Sequence, residues 1–227
     1  MIAVAPSARL RAKLDLALPA LWRVADRLWS SPRLAQLYPE YLCTMHAIVR
    51  SSVPLMEAAL ARARELEADD DVAAAVAAYL AKHMREEAGH DRWILQDLEA
   101  TGGDPEEPLR RIPTPEVAAV VGAQYYWLRH YHPVSLLGHV AVMEGYPPGS
   151  RLATVLAERT GYGADAFRSI RRHAHLDIRH RDELYEAIDA VPFREEHEQV
   201  VGLSALATVQ GLVAVFSGLL RRNGESP

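Results

Sequence analysis

With a single cysteine, Cys43, in 227 residues, the chain can form no internal disulfide, and it fits a reducing compartment. No basic block exceeds the arginine pairs at 110–111, 171–172 and 221–222, and the formal net charge is −5. Such a surface offers no positive field to a phosphate backbone, which removes nucleic acid as an expected partner. The N-terminal stretch MIAVAPSARLRAKLDL becomes charged before an apolar region of leader length develops, so a cytoplasmic location is expected. Strand alternation bounded by hairpin turns is missing, as are internal repeats and low-complexity tracts.

What is present is helical punctuation. Residues 7–29 are amphipathic and end at Ser30-Ser31-Pro32, after which a second helix is expected to run to about Leu66, with Pro39 and Pro54 as the places for a bend. Asp69-Asp70-Asp71 supplies caps and negative charge for a helix that Gly102-Gly103 stops. Thr114-Pro115-Glu116 opens another in the same way, Pro133 starts an apolar segment, and a short helix near 150–160 precedes a long one over 165–190. The pattern predicts one all-α domain over 1–227, a bundle of seven or eight helices. Residues 200–220 carry no charge and are long enough to span a bilayer. Ser204, Thr208, Gln210, Ser217 and three glycines interrupt the run, so the expectation is a buried C-terminal helix, with a homodimer contact as its other use and no membrane.

Histidine is where the sequence concentrates chemistry. In RRHAHLDIRHRDEL, residues 171–184, His173, Asp177 and His180 stand at i, i+4 and i+7, within roughly 60° of arc on one helical face. In AKHMREEAGHDRW, His83, Glu87 and His90 have the same spacing, 90 positions earlier. Helix bundles build dinuclear sites from inward carboxylates and Glu-x-x-His pairs, and Glu87/His90 has that form, with Asp177/His180 its counterpart. Such a site needs further negative charge to offset burial of two cations. Glu144 offers it, because between Pro133 and Pro147 it is the only charged residue apart from a possible charge on His139. An acid in that setting must be paired, protonated, ligated or sited near the helix end.

EEAGHDRWILQDLEATGGDP around His90, GHVAVMEG around Glu144, and His173-x3-Asp177-x2-His180 resemble, in order and approximate separation, the heme-oxygenase-like diiron oxidase and oxygenase family over about residues 33–190. The resemblance implies a helical fold related to heme oxygenase and the thiaminase-type proteins. It implies two irons that activate dioxygen to oxidise a small amino-acid-like or fatty-acid-like metabolite, often in biosynthesis. Carried over, it makes Glu87, His90, Glu144, His173, Asp177 and His180 the iron ligands. Family members usually add a carboxylate from an earlier position, and here Glu40, His46, Glu57 and His83 compete for that place.

Two other readings remain. One is a metal-independent enzyme of the same fold, like the thiaminases or the oxidase that completes pyrroloquinoline quinone, and the other is a non-catalytic helical binding protein. A thiaminase route needs an activated thiol, for which only Cys43 is available. Tyr125, Tyr126, Trp127, His130 and His132 are candidates for lining a pocket, and Arg50 for holding a substrate carboxylate.

Overall fold

The computed structural model describes residues 4–225, so Met1, Ile2 and Ala3 of the N-terminal stretch, with the last two residues, lie outside it. Among the described residues there is no strand, and helices follow one another from end to end. They are α1 (Pro6–Ser30), α2 (Leu34–Val49), α3 (Ser52–Leu66), α4 (Asp71–Glu87), α5 (His90–Ala100) and α6 (Glu107–Arg110). After these come α7 (Pro115–His130), α8 (Leu136–Met143), α9 (Leu152–Thr160), α10 (Arg168–Ala190) and α11 (Glu195–Arg222). Short 3₁₀ turns, Pro133–Ser135 and Ala164–Phe167, lead into α8 and α10.

The helical segments outnumber the seven or eight expected because two long helices are broken and α6 is one turn. The helix expected to run to about Leu66 with a bend at Pro39 or Pro54 instead parts at Arg50-Ser51, between α2 and α3. Pro54 explains the break: its ring would meet the carbonyl of Arg50 in a continuous helix, whereas in the first turn of α3 its missing N–H costs nothing. Pro39 leaves α2 intact. The carbonyl it orphans, on Ala35, accepts a 2.7 Å hydrogen bond from the Tyr162 hydroxyl. The second break, at Ala88-Gly89, separates α4 from α5, with Gly89 in the left-handed region at φ +88°.

Asp70 caps α4, its Oδ1 accepting from the backbone N–H of Val72 at 2.9 Å and Ala73 at 3.1 Å. The start of α10 is capped from a distance. Asp97 on α5, fully buried, accepts from the backbone N–H of Arg168 at 3.0 Å and of Ser169 at 2.8 Å, and from the Ser169 hydroxyl. This ties α10 to α5 and sets the register between the histidines they carry.

Helix α11 is the spine. It packs against α1, α7 and α8, and is also long and apolar enough, by length and composition, to cross a membrane. Two of its polar side chains are spent inside the bundle: Ser204 donates to Gln124 Oε1 at 3.0 Å, and Thr208 accepts from Gln124 at 3.3 Å. Contact with α8 is very close at Gly138, where a Cβ would stand 2.1 Å from the carbonyl oxygen of Val201. Only glycine permits that approach, and α8 leads directly to Glu144.

Candidate metal centre

Four elements converge on one buried polar cluster. The last turn of α4 presents His83, Glu86 and Glu87; the first residue of α5 is His90; Glu144 follows the end of α8; and α10 carries His173, Asp177 and His180. On α10 the triad occupies one helical face, as its spacing predicts. The matching triad does not: the break at Gly89 places His90 on a second helix, where its Nδ1 still stands beside Glu87 Oε2.

Distances within the cluster are short. His90 Nδ1 lies 3.0 Å from Glu87 Oε2, His173 Nδ1 2.9 Å from Asp177 Oδ1, and His83 Nε2 2.9 Å from Glu144 Oε1. His180 Nδ1 stands 3.4 Å from Glu87 Oε1 and 3.3 Å from Glu144 Oε2. Those three atoms, His180 Nδ1, Glu87 Oε1 and Glu144 Oε2, are buried and have no hydrogen-bond partner. Burying such groups unsatisfied costs about 1–3 kcal/mol each, more when charged, so the arrangement calls for a further occupant. Glu144 does sit at a helix end, but its side chain is turned inward and only 10% exposed.

The donor set fits divalent iron. Imidazole and carboxylate together suit iron, zinc or manganese, and ligand atoms about 2.1 Å from an octahedral cation stand about 3 Å from their neighbours. The separations above match that edge length. Glu87 directs Oε2 to His90 and Oε1 to His180, the disposition expected of a carboxylate shared by two positions, whereas the two oxygens of Glu144 face His83 and His180. Glu86 Oε2 faces the opposite nitrogen of His180 at 3.6 Å, placed to orient the ring.

Proton affinities follow this geometry. Burial opposes ionisation of Glu144, yet His180 and His83 overcome it and hold the carboxyl below its ordinary value. Burial alone would lower His83 and His173, but Glu144 and Asp177 respectively raise them; for His180 contact with Glu144 is the leading cause of a rise. Asp177 is itself raised, chiefly by burial.

Beside the cluster lies a chamber of about 200 Å³, walled by Tyr41, Leu42, Met45, Ile94, Met143 and Ile170 and reaching His173 and Asp177. A wider, open cleft of about 870 Å³ between α1 and α10 touches none of the candidate ligands, so the chamber is the space that bears on their chemistry. Other sequence candidates fall elsewhere. Tyr126 is exposed, and His132 joins Asp70 at 3.2 Å in a separate cluster with His197. In that cluster Val134 N–H donates to His132 Nδ1 and Arg194 N–H to His197 Nδ1, which leaves the proton of each neutral ring on Nε2 and makes the group a cap network. Arg50 closes α2 and is not part of the chamber wall. Cys43 is buried, with its thiol pushed up to about 11 by burial. Sequence reasoning missed Glu86 and the chamber: the first was masked by Glu87 beside it, the second is assembled from segments far apart in the chain.

The arrangement of the helices is that of one class of fold, the heme-oxygenase-like fold. The chain is similar over 95% of its length to 90% of a Shewanella denitrificans domain of unknown function with a heme oxygenase-like fold, with TM-score 0.76 and 18% identity. It is similar over 96% of its length to 93% of a TenA homolog from Pseudomonas syringae pv. tomato, with TM-score 0.75 and 13% identity. At such identities the likeness establishes the fold. A search of curated proteins found no match. Within that class, the chain belongs to the family of iron-containing redox enzymes, whose model matches residues 39–211.

Proposed function

We propose that the protein is a non-heme diiron oxidoreductase that uses dioxygen to oxidise a small metabolite carrying an apolar segment. The observation behind this reading is the convergence of three unpartnered buried atoms, Glu87 Oε1, Glu144 Oε2 and His180 Nδ1, inside a ring of further imidazoles and carboxylates. Glu87, His90, Glu144, His173, Asp177 and His180 would hold the metal. Iron, when bound, supplies the electrons that dioxygen needs.

The chain's own residues do the rest. Glu87 faces His90 with one oxygen and His180 with the other, Glu144 supplies charge beside His83 and His180, and Asp177 fixes the His173 ring by a 2.9 Å contact. Tyr41, Leu42, Met45, Ile94, Met143 and Ile170 exclude water and orient a hydrocarbon or aromatic portion of the substrate beside His173 and Asp177. We assign the protein to the cytoplasm on its single cysteine and charge balance.

The thiaminase-type alternative has fold support from the TenA homolog. It requires a thiolate, and burial of Cys43 opposes one. Anaerobic loading with iron(II), followed by metal analysis and oxygen uptake, separates the readings. About two irons per chain are expected, falling in His173→Ala and in Asp177→Ala. Unchanged iron content in both variants would contradict the proposal.

A further inference from the structure

The six residues above divide unevenly: Glu87, His90, His173 and Asp177 stand together on one side, whereas on the other His180 has only Glu144 and the second oxygen of Glu87 beside it. Of the four residues that compete to complete it, three are placed elsewhere. Glu40 is engaged by Arg111 in a two-pronged ion pair at 2.7 and 3.0 Å. Glu57 is exposed on α3. His46 is fully buried on α2, where neither ring nitrogen has a hydrogen-bond partner, so it faces none of the carboxylates of the cluster.

His83 alone is inside. Its Nε2 lies 2.9 Å from Glu144 Oε1, and its donor atom groups within 4.8 Å both with Glu87 and Glu144 and with Glu86 and His180. The ring stands edge-to-face to His180, centroids 5.1 Å apart at 87°. On the other side His90 and His173 do the same, at 5.2 Å and 89°. Each half of the cluster thus has a perpendicular imidazole pair; Glu87 reaches from His90 to His180, and Glu144 faces His83 and His180.

Resting on the diiron reading, we propose that His83 is a direct ligand of the second metal, occupying the place a carboxylate takes elsewhere in the family. The centre is then held by His83, His90, His173 and His180 with Glu87, Glu144 and Asp177. Without metal His83 Nε2–H donates to Glu144 Oε1; a bound cation would take the place of that proton, with His83 and Glu144 as residues that would hold it. Tyr79, stacked on the ring of His83 with centroids 5.2 Å apart, fixes its plane.

The test measures metal content of the full chain loaded anaerobically with iron(II), and separately with cobalt(II), whose visible absorption reports each filled position without turnover. Wild type and His46→Ala are expected to bind about two ions per chain and His83→Ala about one, with about half the cobalt absorption. His83→Glu, which returns a carboxylate to the same place, is expected to restore two and guards against a fold defect in the alanine variant. Two ions bound by His83→Ala with unchanged affinity would overturn the assignment and leave the diiron reading intact. A wild type that takes up neither metal would overturn the reading on which it rests.

Discussion

Among the buried histidines, carboxylate contacts outweigh burial at His83, His173 and His180, which bind a proton more tightly than usual, whereas burial prevails at His139 and His197, and at His132 despite Asp70. His139 is the extreme, lowered to about 4 inside the contact between α8 and α11, where its Nδ1–H donates to Thr208 Oγ1 at 3.1 Å. Its folded value is depressed from 6.5, so the stability gained from the neutral ring is present above 6.5 and lost as pH falls through about 4. At 1.36 kcal/mol per unit the full loss is roughly 3 kcal/mol. In metal-free protein His139→Gln should therefore flatten the decline in unfolding free energy between pH 6.5 and 4, measured by urea titration. A decline as steep as wild type would show that the ring titrates normally.

At the scale of elements, the two triads teach how much a spacing reveals. His173, Asp177 and His180 were legible because α10 is continuous, so 3.6 residues per turn converts sequence into direction. Identical spacing at His83, Glu87 and His90 gave the right neighbours for an incomplete reason. A helix interrupted by one left-handed residue still brings its ends together, and a glycine inside a periodic pattern does not announce which φ it adopts. Gly89 has no atom within 4 Å of a would-be Cβ, so alanine there tests conformation without a clash. Gly89→Ala should cost about 1–2 kcal/mol of stability and weaken metal uptake, while asparagine, more tolerant of that region, should cost less. Calorimetry with iron(II) checks both; equal affinity in the alanine variant would mean that the turn does not position His90. The cap that Asp97 provides to α10 was equally hidden, since nothing local marks an acid on one helix as serving another.

For the whole molecule, the sequence conveyed the helical class and the core character of α11 because apolar periodicity and capping residues act locally. It did not convey the chamber, whose walls come from α2, α5, α10 and the end of α8, joined only by folding. Binding of two cations to this shared site should stabilise the entire fold, because the ligands come from α4, α5, α10 and the segment after α8. Free iron(II) at 100 times its dissociation constant contributes about 2.7 kcal/mol per site, which at this size raises the anaerobic melting temperature by about 5–10 °C for one site. No rise on loading would mean that the unfolded chain binds iron as well as the native one, or that the cluster does not bind it.

The missing side chain at Gly138 has a reach beyond its own contact. Because α8 lies directly on the backbone of α11, the carboxylate of Glu144 is leveled by a helix that donates nothing to the metal cluster, much as a lens is held true by a mount outside the light path. Shortening the chain from its C-terminal end should accordingly tilt that carboxylate out of alignment while every imidazole is still in place.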